Sequence, residues 1–307
     1  MEVSNRQIVV TPSGQRVDLA TYLQALNQEL ERFRTWVEPG HFYSPIPSLA
    51  RIQQREDLIF APAPSELIGL DLNPEGQVML VNALKAYYSE HPYAEAPRPG
   101  VRYFYPNEMF SMGDALALYC MLRHFKPKRV IEVGSGFSSA VILDTNELFF
   151  DDQIVCTFIE PYPDRLLGLL RPDEPADVTL YQQEVQDVPL EIYGELEEND
   201  VLFIDSSHVS KIDSDVNHLI FNVLPLLRPG TLIHFHDIFH PFEYPKAWIY
   251  EGRAWNEGYL LRAFLTNNPH YRVRLFNSYL HQFYREEVVA DMPAWTFGGS
   301  LWLQKLA

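Results

Sequence analysis

The run RVIEVGSGFSS, residues 129–139, joins a strand-like apolar stretch to an acid and two closely spaced glycines. Glu132 lies near the end of the apolar stretch, Gly134 and Gly136 follow it, and a helical pattern begins directly afterwards. Glycines here leave no side chain between backbone N–H groups and a ligand, and the helix directs the positive end of its dipole to the same point. The pattern therefore predicts a ligand-binding loop, because a plain turn needs only one glycine.

A second acid, Glu160, ends the next strand-like run, QIVCTFIEP. An acid at this place commonly accepts hydrogen bonds from ribose hydroxyl groups. A dinucleotide would favour glycine where Ser139 stands, and Glu132 would repel its pyrophosphate but attract the amino group of a methionine moiety. The pattern favours S-adenosylmethionine as the cofactor, with its ribose on Glu160. The loop residues predicted to bind this cofactor are Glu132, Gly134, Ser135, Gly136 and Ser138.

Histidines and acids gather at the ends of two later strand-like runs. Asp205 ends DVLFID, with His208 three residues further on, and His236 and Asp237 end GTLIHFHD. Neighbouring strands of a parallel sheet end at one edge, so these side chains are expected to converge. Asp205, His236 and Asp237 could bind a divalent metal such as Mg²⁺ or Mn²⁺. Alternatively, His208 and Asp205 could be catalytic groups, with His208 as the base that removes a hydroxyl proton.

The order of predicted elements indicates the fold class. From about Ser111 onward, strand-like and helical runs alternate, which predicts an α/β fold with a parallel sheet and helices on both faces. The last two strand-like runs, YRVRLFNSYL and GGSLWLQKL, have no helix between them and are expected to pair antiparallel at one edge. The front of the chain shows helices and loops and no convincing strand. We therefore predict an α/β domain over residues 104–307 and an N-terminal helical extension over residues 1–103, which would be a lid or substrate cap.

Composition excludes some classes of partner. The 307 residues carry a formal net charge of −17, which disfavours binding to nucleic acid. The N-terminal residues lack the apolar segment of a secretory signal, and no apolar run is long enough to cross a bilayer. We expect a cytoplasmic protein that acts on a small-molecule acceptor and binds neither nucleic acid nor a membrane. The oligomeric state stays open, with a homo-oligomer as one option.

The chain resembles the class I S-adenosylmethionine-dependent methyltransferases, and within them the family called methyltransferase domain 24. The resemblance covers residues 104–307 and rests on RVIEVGSGFSS, on DVLFIDSSHVSKIDSDVNHLIFNVLPLLRPGTLIHFHDIFHPFEYP and on WNEGYLLRAFL. It implies a Rossmann-like sheet of seven mostly parallel strands with the last strand antiparallel. It also implies adenosine contacts after the third strand, at EVQDV, where Glu184, Val185 and Asp187 are candidates.

The His-Asp cluster also resembles the metal-dependent O-methyltransferases of the catechol type. Those enzymes have an acid after the fourth strand, a base three residues later and an acid–amide pair after the fifth. This chain has Asp205, His208 and then His236-Asp237 at these places. A histidine thus replaces a lysine-type base, and a His-Asp pair replaces Asp-Asn, which leaves the metal and its identity open.

These observations predict an S-adenosylmethionine-dependent methyltransferase that methylates a hydroxyl group of a small molecule, with metal assistance left open. Two alternatives remain: a metal-dependent hydroxylase or hydrolase on the same fold, and a non-catalytic protein that binds the cofactor. Aromatic and polar residues after the cluster could wall an acceptor pocket, although each could equally pack the core. They are Trp248, Tyr250, Trp255, Asn256 and Tyr259.

Overall fold

The computed structural model of the chain describes residues 8–32, 35–171 and 178–307. Contacts between residues divide the chain into two compact units, Met1–Ile59 and Phe60–Ala307. Residues 60–103 therefore belong to the same compact unit as the residues that follow them. The role of residues 1–103 as a lid or substrate cap stays a prediction.

Among its described residues, 8–32 and 35–59, the first unit contains a short hairpin and three helices. Its elements are β1 (Ile8–Val10), β2 (Arg16–Asp18), α1 (Leu19–Arg32), α2 (Leu49–Gln53) and α3 (Glu56–Ile59). β1 and β2 pair antiparallel. The hairpin corrects the expectation that the front of the chain has no strand, because strands of three residues are too short to show an alternating pattern.

The second unit contains seven strands and nine helices among its described residues. The strands are β3 (Arg129–Val133), β4 (Val155–Ile159), β5 (Val178–Tyr181), β6 (Val201–Ile204), β7 (Leu232–Phe235), β8 (Tyr271–Phe276) and β9 (Leu301–Lys305). The helices are α4 (Pro74–Tyr88), α5 (Met112–Phe125), α6 (Phe137–Phe150), α7 (Asp164–Leu169), α8 (Asp215–His218), α9 (Lys246–Tyr250), α10 (Glu257–Leu265), α11 (Asn277–Phe283) and α12 (Arg285–Val289).

The seven strands form one sheet in the order β5-β4-β3-β6-β7-β9-β8. β3 pairs parallel with β4 and β6, and β6 pairs parallel with β7. β9 lies between β7 and β8 and is antiparallel to both. The predicted Rossmann-like α/β sheet of seven mostly parallel strands, with an antiparallel last strand, is confirmed.

The central strands are apolar because both faces of the sheet are covered. All four residues of β6, VLFI, and of β7, LIHF, are buried. Such continuous burial is typical of parallel strands with helices on both faces. The polar member of β7 is His234, whose ring stacks on Phe203 at 3.9 Å between centroids and whose Nε2 is 3.2 Å from the Ser300 hydroxyl.

The first six residues of the predicted strand YRVRLFNSYL form a strand, and the prediction is wrong for the remaining four. β8 ends at Phe276, and α11 begins at Asn277. The Asn277 side chain donates to the Thr296 carbonyl and accepts from the Trp295 indole N–H, at 3.3 and 3.1 Å. These tertiary hydrogen bonds bend the chain away from the sheet, and the local alternation of apolar residues does not encode them.

The topology brings four loops to one edge of the sheet. β3, β4, β6 and β7 run in the same direction, so the residues that follow them meet at the carboxyl ends of these strands. This edge is where open α/β sheets bind ligands. Within the residues that the structure describes, no helix is both long and apolar enough to cross a membrane.

At the opposite edge, Asp200 fixes the start of β3 against the start of β6. Its carboxylate is 1% exposed and accepts from the backbone N–H groups of Lys128, Arg129 and Glu197 at 2.8, 2.9 and 2.9 Å. Replacing Asp200 by alanine should lower the free energy of unfolding by about 2–3 kcal/mol, because three donors lose a charged acceptor. Chemical denaturation measures the change, with the exposed Glu95→Ala as the control within about 0.5 kcal/mol of wild type. Equal stability of the two variants would contradict this role.

Candidate active site

Two adjoining cavities open at the carboxyl ends of the strands. The larger has a volume of about 800 Å³ and the smaller about 610 Å³. Gly134, Glu160 and residues 205–207 line both, so the cavities share a wall. The larger continues over the ends of β6 and β7, and the smaller continues over the ends of β4 and β5. One elongated ligand could therefore occupy the smaller cavity and reach into the larger.

The loop after β3 lies directly against the end of β6. Gly134 has φ +81°, and a Cβ placed on it would lie 1.9 Å from the backbone oxygen of Asp205. No other residue fits this position, because the contact is with rigid backbone and the conformation is left-handed. The Gly134 N–H also donates to the Ile159 carbonyl at 3.0 Å, which connects the loop to β4.

The N-terminus of α6 presents polar groups to the larger cavity. Ser135, Gly136 and Ser138 all line it, and Ser135 is 7% exposed with a hydroxyl that has no hydrogen-bond partner. The Gly136 N–H donates to the Ser139 hydroxyl at 2.9 Å. An anionic or hydrogen-bonding ligand group would therefore meet a helix N-terminus.

Glu132 lies beneath this loop and does not line either cavity. Its side chain is fully buried, one carboxyl oxygen accepts from the Ser139 hydroxyl, and the other has no partner. Burial raises the pKa of Glu132 to about 8, against the opposing effect of nearby serine hydroxyls. The chain Gly136–Ser139–Glu132 therefore stabilises the loop from below, and the predicted interaction of Glu132 with a methionine amino group, directly or through water, stays a prediction.

Glu160 lines both cavities, at the place predicted for an acceptor of ribose hydroxyls. Its carboxylate accepts from the backbone N–H groups of Ser135 and Tyr162 at 3.1 and 2.8 Å. Arg165, from α7, also lines the larger cavity, and its Cδ lies 3.0 Å from where a Gly136 Cβ would stand. Nothing in the local sequence pattern singled out Arg165, because its approach to the loop depends on how α7 packs.

The turn after β5 lines the smaller cavity through Glu184, Val185 and Gln186. Asp187, the predicted cofactor residue in this turn, does not line either cavity. Its carbonyl accepts from the Gln183 side chain at 2.7 Å and its N–H donates to the Glu184 carbonyl at 3.0 Å. The single helical turn Val185–Asp187 points the neighbouring Gln186 toward the cavity in its place.

The cluster of histidines and acids converges as predicted, and it contains one further acid. His208 is 5% exposed, with Nε2 at 3.4 Å from Asp205 Oδ1 and 3.9 Å from Asp237 Oδ2. Its Nδ1 is 2.9 Å from Oε2 of Glu257, which is 1% exposed. Glu257 was not predicted, although it belongs to the run WNEGYLLRAFL on which the family resemblance partly rests.

The surroundings of His208 disfavour its predicted role as the base, which stays a prediction. Burial alone would lower the pKa of His208, but the hydrogen bonds and charges of Asp205 and Glu257 outweigh burial and raise this pKa to about 10. A base must have a free lone pair, so these contacts favour a buried imidazolium between carboxylates.

Asp237 and His236 lie beside this imidazolium at the end of β7. His236 Nε2 is 3.5 Å from Asp237 Oδ1, and His236 Nδ1 is buried without a hydrogen-bond partner. At Asp237, burial outweighs the charge of His236, and the pKa of the carboxyl is raised. At Asp205, the nearby histidines outweigh burial, and the pKa of the carboxyl is lowered. Of Asp205 and Asp237, which both line the cavity, Asp237 is therefore the stronger proton acceptor.

Aromatic side chains form the outer wall of the larger cavity. Trp248 and Trp255 line it as predicted, together with Phe239 and Phe297, whereas Tyr250, Asn256 and Tyr259 do not. The guanidinium of Arg253 lies 4.3 Å from the ring centre of Trp248 and 5.1 Å from that of Trp255. A planar apolar acceptor would find stacking surfaces here, next to the polar cluster.

Comparison with known proteins identifies the family. Residues 131–238 match the family model described as a methyltransferase domain. A protein of Archaeoglobus fulgidus, named only as uncharacterised, is 39% identical over 166 residues, which cover 52% of this chain and 74% of that protein. The chain belongs to the class I S-adenosylmethionine-dependent methyltransferases. The predicted family is confirmed, and S-adenosylmethionine is its cofactor.

Solved structures resemble the methyltransferase more distantly. The SAH-bound methyltransferase PaMTH1 of Podospora anserina is 15% identical, with a TM-score of 0.45 over 74% of this chain and 88% of that one. Ligand-free CmcI is 16% identical, with a TM-score of 0.43 over 72% of this chain and 84% of that one. Because both TM-scores are below 0.5, neither likeness bears on the acceptor or on the chemistry of this methyltransferase.

The predicted metal ligands do not form a metal site in this methyltransferase. Across residues 8–32, 35–171 and 178–307, no three His, Cys, Asp or Glu side chains are arranged to hold a metal ion. Asp205, His236 and Asp237 all line the larger cavity, but the imidazole of His208 lies within 4 Å of both aspartates. This imidazole already lies beside both carboxylates, so the arrangement gives no support to a divalent cation there, and metal binding by these residues stays a prediction.

Replacing Glu132 by glutamine should make the fold less sensitive to pH. The buried carboxyl has a raised pKa, so the unfolded chain releases this proton from about pH 4.5 upward while the folded protein keeps it until about pH 8. As the pH rises through this window, the free energy of unfolding of the wild type should therefore fall relative to that of Glu132→Gln, by up to about 1.4 kcal/mol per pH unit. Denaturation curves at pH 5, 6.5 and 8 measure the trend, and a constant difference would contradict the buried neutral carboxyl.

The protonation of His208 is directly measurable. Both ring nitrogens should give protonated ¹⁵N signals at pH 8, with titration only near pH 10, because Asp205 and Glu257 stabilise the imidazolium. His218, whose pKa burial lowers, is the internal contrast and should be neutral at pH 8. Titration of His208 near its ordinary pKa would instead restore it as a candidate base.

Proposed function

We propose that this protein transfers the methyl group of S-adenosylmethionine to a hydroxyl oxygen of a small molecule. The observation that carries the proposal is the shared wall of the two cavities. Gly134 and Glu160 stand where a nucleoside and an amino-acid group would be joined, and the larger cavity extends from there to Asp237 and His208. A methyl donor and a hydroxyl acceptor could thus be held side by side, which is the main requirement of an in-line transfer.

The chain's residues fit the parts of the cofactor. A side chain at 134 would clash with the Asp205 carbonyl, so glycine lets the loop after β3 lie beside the end of β6, and Ser135 lines the larger cavity next to it. We assign the methionine carboxylate to Arg165, Ser135 and the N-terminus of α6, the ribose to Glu160, and the adenine to the smaller cavity. When bound, S-adenosylmethionine supplies an electrophilic methyl group on a sulfonium.

On the acceptor side, the chain must orient a hydroxyl group and take its proton. Phe239, Trp248 and Trp255 offer flat surfaces that would orient the acceptor and exclude water. We assign proton removal to a carboxylate oxygen of Asp237, which lines the cavity and lies beside two histidines. His208, already protonated, would stay in place and offset the negative charge around the reacting oxygen. No step of this proposal uses a metal ion.

The cofactor assignment predicts a selective pattern of binding defects. Glu160→Ala should weaken the binding of both S-adenosylhomocysteine and 5′-methylthioadenosine by about tenfold or more, because both ligands carry the ribose. Arg165→Ala should weaken the binding of S-adenosylhomocysteine but leave the affinity for 5′-methylthioadenosine unchanged, because the latter ligand lacks the amino-acid carboxylate. Isothermal titration calorimetry measures both, with the exposed Glu195→Ala as the control.

Turnover then tests the reaction itself. Wild-type protein with S-adenosylmethionine and a panel of hydroxylated aromatics and sugars should form S-adenosylhomocysteine, also in the presence of EDTA. Asp237→Asn should lose turnover while keeping cofactor affinity. Absence of cofactor binding under all conditions would reject the proposal, and binding without turnover would favour a non-catalytic cofactor-binding protein. Loss of turnover in EDTA, restored by Mg²⁺ or Mn²⁺, would require a metal after all.

A further inference from the structure

The loop after β6 has an unusual conformation at its most buried side chain. His208 has φ +60°, in the left-handed region that non-glycine residues rarely adopt, and yet its side chain is 5% exposed. Residues 205–211 contain no helix or strand. Such a residue persists only where surrounding contacts determine its conformation. The His208 N–H donates to the Ser206 hydroxyl at 3.0 Å, and further contacts come from the segment Trp255-Asn256-Glu257, which we call the WNE segment.

The backbone of the WNE segment fixes the backbone of this loop. The N–H groups of Asn256 and Glu257 both donate to the His208 carbonyl, at 3.0 and 3.1 Å. The Asn256 side chain accepts from the Ser210 N–H at 2.6 Å and donates to the Ser210 carbonyl at 3.3 Å. The first N–H groups of α10 have no partner within the helix, so the loop supplies the acceptor that they need. The loop and the start of α10 therefore form one hydrogen-bonded unit.

The side chains of the WNE segment fix the imidazole ring. Glu257 Oε2 is 2.9 Å from Nδ1, and the Trp255 ring centre lies 4.3 Å from the centre of the imidazole. A ring held at Nδ1 cannot turn over, so its Nε2–H stays directed at Asp205 and Asp237. Glu257 is 1% exposed and does not line either cavity. Any effect of Glu257 on a bound acceptor must therefore pass through His208.

We infer that Glu257 is a positioning residue for methyl transfer, which acts by holding the His208 ring toward the two cavity aspartates. The inference rests on the function proposed above and adds to it a residue outside the cavity. A carboxylate bound to one imidazole nitrogen sets the direction and charge of the other. Without it, the ring could turn over, and Asp237 would lose its fixed positive neighbour during proton removal. The consequence should appear in the rate of the chemical step and not in the binding of the cofactor.

Two substitutions at Glu257 separate this role from a purely structural one. Glu257→Gln keeps the shape and can still accept from Nδ1–H, but it removes the negative charge, whereas Glu257→Ala removes both. We expect kcat to fall about 10- to 100-fold in Glu257→Ala and less in Glu257→Gln, with KM and the affinity for S-adenosylhomocysteine nearly unchanged. The exposed Glu287→Gln is the matched control and should retain wild-type kcat. In ¹⁵N spectra, the ring nitrogen signals of His208 should shift in both Glu257 variants.

The outcomes distinguish failure of this inference from failure of the proposed function. Unchanged kcat and unchanged His208 signals in Glu257→Gln and Glu257→Ala would overturn the positioning role. Equal losses of cofactor affinity and of kcat would also overturn it, because they indicate a general structural defect. If Glu257→Ala does not fold, Glu257→Gln decides. If wild-type protein transfers no methyl group, the proposed function fails, and shifted His208 signals would then support ring positioning alone.

Discussion

The approach of the β3 loop to the end of β6 is the constraint on which the site depends. The backbone of Gly134 lies so close to the carbonyl of Asp205 that no side chain fits between them. Parallel pairing of β3 with β6 brings these two strand ends together, and the pairing continues from Val130 to Val133. The contact sets the separation between the predicted cofactor loop and the His-Asp cluster. The distance between the loop after β3 and the His-Asp cluster is therefore set by backbone contacts and not by side chains.

Burial and charge have opposite results at two buried groups near the site. The imidazolium of His208 lies among three carboxylates, whose charges outweigh burial, whereas Glu132, which lacks a cationic partner, has a raised pKa. Desolvation disfavours charge unless an opposite charge is near. The excess of acids, with a net charge of −17, also favours a cationic sulfonium over a phosphate ligand.

The sequence predicted the sheet well because its signal is local and repeated. Alternating strand-like and helical runs gave the α/β class, and glycine spacing located the loop after β3. The pattern did not predict what depends on contacts distant in sequence. Glu257 is 49 residues from His208, so its contact with the imidazole could not be predicted from the local pattern. The end of β8 at Phe276 depends on the Asn277 hydrogen bonds to residues 295 and 296.

The position of β9 has a consequence for how the protein forms during synthesis. β9, Leu301–Lys305, is the strand that connects β8 to β7, and both of its faces and edges are used. While the ribosome has not yet released these residues, β7 exposes an unpaired edge of apolar strand and β8 has no neighbour in the sheet. The nascent chain therefore carries an open sheet edge until β9 emerges. Chaperone binding during translation would be most valuable over this interval, in which the carboxyl ends of β3 and β6 are already in place but one side of the sheet is unfinished.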